Sequence, residues 1–194
     1  TGDYSSTTAG TSNLRLGVNA GNSIASGGNS NVVVGDNAGT AITTGDDNVA
    51  LGRLALTANT TGSSNVAIGR DALEANTTAS NNTAVGTDSL KANTTGSDNV
   101  AVGALAGDAL TTGSDNVVVG KNALSADTLG RRSVAIGRSA LSAQNFTSTT
   151  STYNVAVGYE AGGAVTTGTQ NTLIGGLAGD AITTGGQNVA VGYL

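Results

Sequence analysis

Residues 65–80, NVAIGRDALEANTTAS, return almost letter for letter at 82–97 as NTAVGTDSLKANTTGS. Seventeen residues separate the copies, and the same register extends in both directions. A short apolar strand closed by glycine recurs from LRLG at 14–17 to VAVG at 189–192. Its closing residues are Gly17, Gly35, Gly52, Gly69, Gly86, Gly103, Gly120, Gly137, Gly158, Gly175 and Gly192. Every interval is 17 except the first, 18, and the one from Gly137 to Gly158, 21. A constant short period means stacked structural units that share one core.

The repeats align with one another, so each column has a physical reading. Val, Leu or Ile stands one residue before the glycine; Val, Leu or Thr stands three before; a mostly Ala column lies between (Ala50, Ala67, Ala84, Ala101, Ala135, Ala156, Ala190). That period-two alternation predicts a β-strand with one β-branched face and one small-residue face. The glycine suits a corner needing positive φ or close backbone approach. The Ala face offers a flat surface on which a second rod could dock. In the alternative arrangement Ala lines the coil's own interior and the Val column faces a partner.

Asn stands four residues before the glycine in ten of the eleven units. Asn48, Asn65, Asn82, Asn99, Asn116, Asn154, Asn171 and Asn188 belong to this column, and Ser133 departs from it. In parallel stacked coils such a column predicts a structural amide ladder.

After the glycine, two columns exchange. Four residues on, a coil carries either Leu (Leu56, Leu73, Leu90, Leu124, Leu141) or Gly (Gly21, Gly39, Gly107, Gly162, Gly179). Seven residues on, the Leu coils carry Asn59, Asn76, Asn93, Asp127 and Gln144, whereas the Gly coils carry Ile24, Ile42, Leu110, Val165 and Ile182. Each coil thus supplies one aliphatic group to one interior slot, where two would overpack and none would leave a void. With the two strand positions, about three aliphatics per coil are expected inside. The expected fold is all-β, a parallel β-solenoid of about eleven 17-residue coils forming one domain over 1–194. Its incomplete coils are 1–12 and 193–194, and its loop insertion is 145–153. Thr-Thr-Gly at 43–45, 60–62, 94–96 and 111–113 reads as a second short strand and turn.

The NVAIG-type strand with its Gly turn resembles the head repeats of YadA-type trimeric autotransporter adhesins. The longer form NxAVGxxALxxNTTGS resembles bacteriophage tail-fibre repeats. The resemblance covers the chain from Asn13 onward. It implies a left-handed, usually trimeric β-roll serving as an extracellular or virion shaft or adhesive surface. The 17-residue period departs from the adhesins, and their stalk and anchor have no counterpart in these residues.

Composition narrows the chemistry. The chain of 194 residues has no Cys, His, Pro, Met or Trp, and its formal net charge is −5. Zinc sites of the usual Cys and His kind, disulfides, thiol nucleophiles and imidazole bases are therefore excluded. We expect no enzyme, no catalytic residues, no metal and no cofactor. The acidic balance argues against nucleic acid, and no apolar run approaches the ~20 residues of a membrane span. The start, TGDYSS, does not read as a signal peptide. Asp71 and Asp88 share one column, and Asp47, Asp98 and Asp115 another. A calcium site on them is conceivable, with solvated surface the default. The Thr columns raise ice binding as a lesser alternative.

Three further expectations concern surfaces. Thr1, Gly2, Asp3 and Tyr4 together with Tyr193 and Leu194 read as complementary parts of one more coil, implying head-to-tail stacking of copies or a longer tandem array. The sequons at Asn59, Asn76, Asn81, Asn93 and Asn145 are candidate glycosylation sites. NFTSTTSTY, 145–153, reads as a protruding ligand loop with Phe146 and Tyr153 as contacts. The expected partner is the chain itself, as a trimer or filament, with a cell-surface receptor or glycan as the alternative. The expected location is extracellular, on a cell surface or a virion.

Overall fold

A computed structural model describes residues 4–5 and 10–194. It is a parallel β-solenoid of about ten turns, with no helix among the described residues. Eleven three-residue strands carry the apolar repeats: β2 (Leu14–Leu16), β3 (Val32–Val34), β4 (Val49–Leu51), β5 (Val66–Ile68), β6 (Thr83–Val85), β7 (Val100–Val102), β8 (Val117–Val119), β10 (Val134–Ile136), β12 (Val155–Val157), β13 (Thr172–Ile174) and β14 (Val189–Val191). They form one continuous sheet in which each pairs with the next in parallel, residue for residue, as in Ala67↔Ala84 and Ala84↔Ala101. At ~4.8 Å per strand this sheet runs about 50 Å. Each coil is named below by its strand.

Main-chain bonds to the next coil surround the whole perimeter. The β5 coil shows the pattern: Val66 N–H donates to Asn82 O (2.8 Å), Leu73 N–H to Ser89 O (3.0 Å) and Thr77 N–H to Thr94 O (3.1 Å). The strand-closing glycine turns the corner at φ near 135° in Gly69. A Cβ there would lie 2.5 Å from the carbonyl oxygen of Gly86, so positive φ and close approach both apply.

The exchange between the two later columns has a direct cause. The position four after the glycine is left-handed in every complete coil, at φ 48–68°, whether it holds Leu or Gly. Where Leu occupies it, the side chain is fully buried, as in Leu56, Leu73, Leu90, Leu124 and Leu141. Where Gly occupies it, the aliphatic three residues later fills the same space. A Cβ on Gly39 would come within 2.8 Å of Ile42 Cδ1, and one on Gly107 within 3.1 Å of Leu110 Cδ1. The left-handed backbone is unfavourable for leucine by ~1–2 kcal/mol, and burial in the shared slot outweighs it.

The structure decides between the two arrangements of the strand faces, and two expectations need correction. The Ala column faces inward: Ala50, Ala67, Ala84, Ala101, Ala135 and Ala156 are fully buried, and the Val, Leu and Ile columns point outward. In most coils the interior therefore holds one large aliphatic with two small columns, not three large groups; the β3, β8 and β13 coils add Val33, Val118 and Leu173 at the inward strand position. The second small column, Ala38, Ala55, Ala72, Ala106, Ala123, Ala140 and Ala161, stands three residues after the glycine and is also buried. The Thr-Thr-Gly stretches form bends rather than strands.

Candidate functional site

The outward face of the long sheet is a continuous surface of repeated strand residues. Along each run the residues one, three and five before the glycine and one after it face out, while Asn and Ala between them are buried. The result is a double column of Val, Leu, Ile and Thr. Leu14, Leu16, Leu51, Val100, Val102 and Ile174 are 37–43% exposed on it.

Behind the strands lie the asparagines. Asn65 donates through Nδ2 to Asn48 Oδ1 (3.1 Å) and to Ala79 O (2.9 Å), and its own N–H donates to the same Oδ1 (3.0 Å). The bond to the preceding side chain recurs from Asn31 to Asn116 and again at Asn171 and Asn188. Both amide ends are used, which meets the hydrogen-bonding demand of buried polar groups. A second buried ladder joins Asn59, Asn76 and Asn93 through Nδ2···Oδ1 bonds of 2.9 and 3.1 Å. Asn93 Oδ1, last in that run, finds no donor because the next coil carries Leu110 there. The inner threonines form a third series, with Thr60 donating to Thr77 O (3.0 Å) and Thr77 to Thr94 O (3.1 Å). Their neighbours Thr61, Thr78 and Thr95 are exposed.

Burial decides the sequons. Asn59, Asn76 and Asn93 are fully buried in the second ladder, so the folded chain cannot carry a glycan on them. Asn81 and Asn145 are exposed.

The acidic column after the glycine is paired with cations. Asp71 is buried between Arg70 and Arg53, whose Nη2 lies 3.7 Å away, with Lys91 Nζ at 3.8 Å. Arg70 also meets Asp88 (3.0 Å), and the hydrogen bond that Lys91 Nζ donates to Asp88 Oδ1 (3.1 Å) holds that ammonium above its usual pKa. Asp108 sits beside this cluster with Oδ1 unpartnered, and desolvation raises its carboxyl pKa. Among the described residues no group of three or more carboxylates is placed to hold a metal ion. No helix there is long and apolar enough to cross a membrane.

The repeat is broken around β10. Short strands β9 (Gly130–Arg131) and β11 (Thr150–Ser151) pair in parallel, so the insertion folds back onto the coil before it. Phe146 corrects the ligand-loop reading: it is only 6% exposed, and its N–H points to Asp127 Oδ1 (3.3 Å). Tyr153 is 49% exposed, with Arg132 5.7 Å over its ring and Arg132 Nη1 donating to its hydroxyl (2.8 Å). Inside, Gln144 spans the gap that Ser133 leaves in the Asn ladder. It donates to Ser133 Oγ (2.9 Å) and Asp127 Oδ2 (2.6 Å), and accepts from Asn154 Nδ2 (2.8 Å). Next to this, Tyr159 is 47% exposed under Arg138 (5.5 Å), and a hydrogen bond to Glu160 raises its hydroxyl pKa. In the same coil a surface cavity of about 290 Å³ is lined by Ser139, Ser142, Glu160, Gly163, Ala164, Leu177 and Asp180. Tyr159 and this cavity escaped the sequence reading. The alignment signals the cavity, since Gly163 stands in a column that holds a side chain in the other nine coils.

At the ends, β1 (Tyr4–Ser5) pairs antiparallel with β2, Tyr4 opposite Leu16. A copy stacking there in parallel register would have to displace it. Thr1, Gly2 and Asp3 lie outside the described residues. Tyr193 and Leu194 are 74% and 75% exposed, and Leu194 N–H donates to Gly176 O (3.3 Å).

The period, the parallel register and the shared interior define a β-solenoid repeat protein. No protein-family model, curated protein or solved structure matches the chain.

Proposed function

We propose that this chain is a non-enzymatic structural and adhesive repeat region of an extracellular or virion fibre, self-associating side by side through the outward face of its sheet. One observation carries the reading: the larger β-branched and aliphatic strand residues point outward along the whole sheet, while the interior is filled mostly by small ones. A monomer that kept this face wet would expose about 50 Å of continuous apolar stripe. The repeat resemblance to adhesin heads and tail fibres supports the fibre setting. Side-by-side packing is favoured over head-to-tail stacking because β1 occupies the sheet edge beside β2.

The test is sedimentation of the wild-type chain and of Val100→Glu/Val102→Glu. Both positions are 37% exposed, so the variant keeps its fold by circular dichroism. Wild type is expected to be oligomeric and the variant monomeric. A wild-type chain that stays monomeric at high micromolar concentration sinks the reading, and long end-to-end filaments in the variant would move the contact to the coil ends.

A further inference from the structure

We propose that the cavity in the β12 coil binds one ring of a neutral saccharide. The cavity coincides with a break in one column of the repeat. Five positions after the closing glycine the other coils carry Asn22, Thr40, Thr57, Glu74, Lys91, Asp108, Ser125, Ser142 and Asp180, and only this coil carries Gly163. Gly163 lines a hollow of about 290 Å³ together with Ser142 and Asp180, its column neighbours in the adjacent coils. That is near the lower end of the ~300–1,000 Å³ typical of small-molecule clefts, a size for one ring rather than an extended ligand.

The lining has two kinds of surface. Glu160 and Asp180 present carboxylate acceptors, with Ser139 and Ser142 supplying hydroxyls; Ala164 and Leu177 provide apolar surface. A pyranose has the matching division, with hydroxyls around its rim and C–H groups on its faces. Vicinal hydroxyls donating to carboxylates make charge-assisted hydrogen bonds, and the C–H face covers apolar surface. Two carboxylates in so small a space disfavour an acidic sugar by like-charge repulsion. They also fall short of the 6–8 oxygens that calcium takes. Two observations coincide at this one place: the interrupted column and the cavity.

This inference rests on the adhesive half of the proposed function and is independent of self-association. A monomeric chain that binds sugar would overturn the oligomer alone. The probes are the methyl glycosides of glucose, galactose, mannose and N-acetylglucosamine, followed by saturation-transfer NMR on the full chain. At least one is expected to bind in the millimolar range. Gly163→Ser restores the residue type of neighbouring coils, so it folds, and it should abolish transfer. Glu160→Gln and Asp180→Asn should each weaken binding ~tenfold, the scale of one charge-assisted bond. No transfer from any of the four glycosides overturns the proposal, as does transfer that survives Gly163→Ser. Calcium binding that Gly163→Ser removes, with no glycoside binding, would also overturn it in favour of a cation site.

Discussion

The β5 and β6 coils and the β10 and β12 coils use one backbone plan toward different ends. In β5 and β6 each side chain meets its own kind above and below: Asn65 on Asn48, Asn76 on Asn59, Thr77 on Thr94. In β10 the ladder position is Ser133, and the contacts cross between columns, with Gln144 reaching Asp127, Ser133 and Asn154. The exposed tyrosines within the stack, the insertion and the cavity all occur in this second region. Regular coils satisfy themselves by repetition and present little for recognition. A coil that departs from the repeat needs a private network to hold it, and it gains a distinctive surface.

The largest expected effect breaks the regular side of that contrast. Asn82→Ala removes the acceptor for Asn99 N–H and the donor to Gly96 O, leaving buried groups unpartnered. At ~1–3 kcal/mol per orphaned group, a loss of about 4 kcal/mol is expected from chemical denaturation. A much smaller loss would show that water, not the ladder, satisfies this seam. Next comes Leu90→Gly, which empties the shared slot at a cost of about 3 kcal/mol after relief of the left-handed leucine. The double variant Leu90→Gly/Asn93→Leu rebuilds the arrangement of Gly107 and Leu110 and should recover most of the loss. Failure to recover would mean that the two columns do not share one space.

Gln144→Ala tests the irregular side. It strips partners from Asp127, Ser133 and Asn154, an expected cost of about 2 kcal/mol. The amides of β10 and β12 should then exchange faster than those of β5 and β6. Uniform exchange along the stack would deny Gln144 its bridging role. The smallest effect concerns Asp108, whose carboxyl pKa is raised by burial. The folded state holds this proton more tightly than the unfolded state does. Asp108 therefore costs nothing at low pH and destabilises as pH rises through the carboxylate range. Asp108→Asn should raise Tm slightly at pH 7 and not at pH 3; an equal gain at both would assign the effect to something other than charge.

Much of this contrast is legible in the residues. The 17-residue spacing gives the parallel register, and the Leu–Gly exchange gives the shared slot, because volume conservation is visible as alternation between two columns. What alternation cannot give is the direction of the faces. Val66 and Ile68 on one side and Ala67 on the other satisfy period two equally well whichever side is inside. The usual expectation that larger apolar residues lie inside points the wrong way here, because Leu73 already fills the slot that Ala67 and Ala72 flank. Phe146 misleads for a related reason. An aromatic in an insertion resembles an exposed contact, yet the insertion pairs back through β9 and β11 and covers it. Asn59, Asn76 and Asn93 match the glycan acceptor pattern only because Thr-Thr follows the second ladder in each coil.

The αL leucines carry a consequence for inheritance. Since the β4, β5 and β6 coils carry the same slot leucine and ladder asparagines, a recombination event that adds or deletes one whole coil there leaves the slot and both ladders continuous. Length is thereby free to drift between β4 and β6 without any compensating substitution. Around β10 the same event would separate Gln144 from Asp127 or Asn154, so that region can change only by point substitution. One gene can thus alter the reach of its product quickly and its recognition surface slowly.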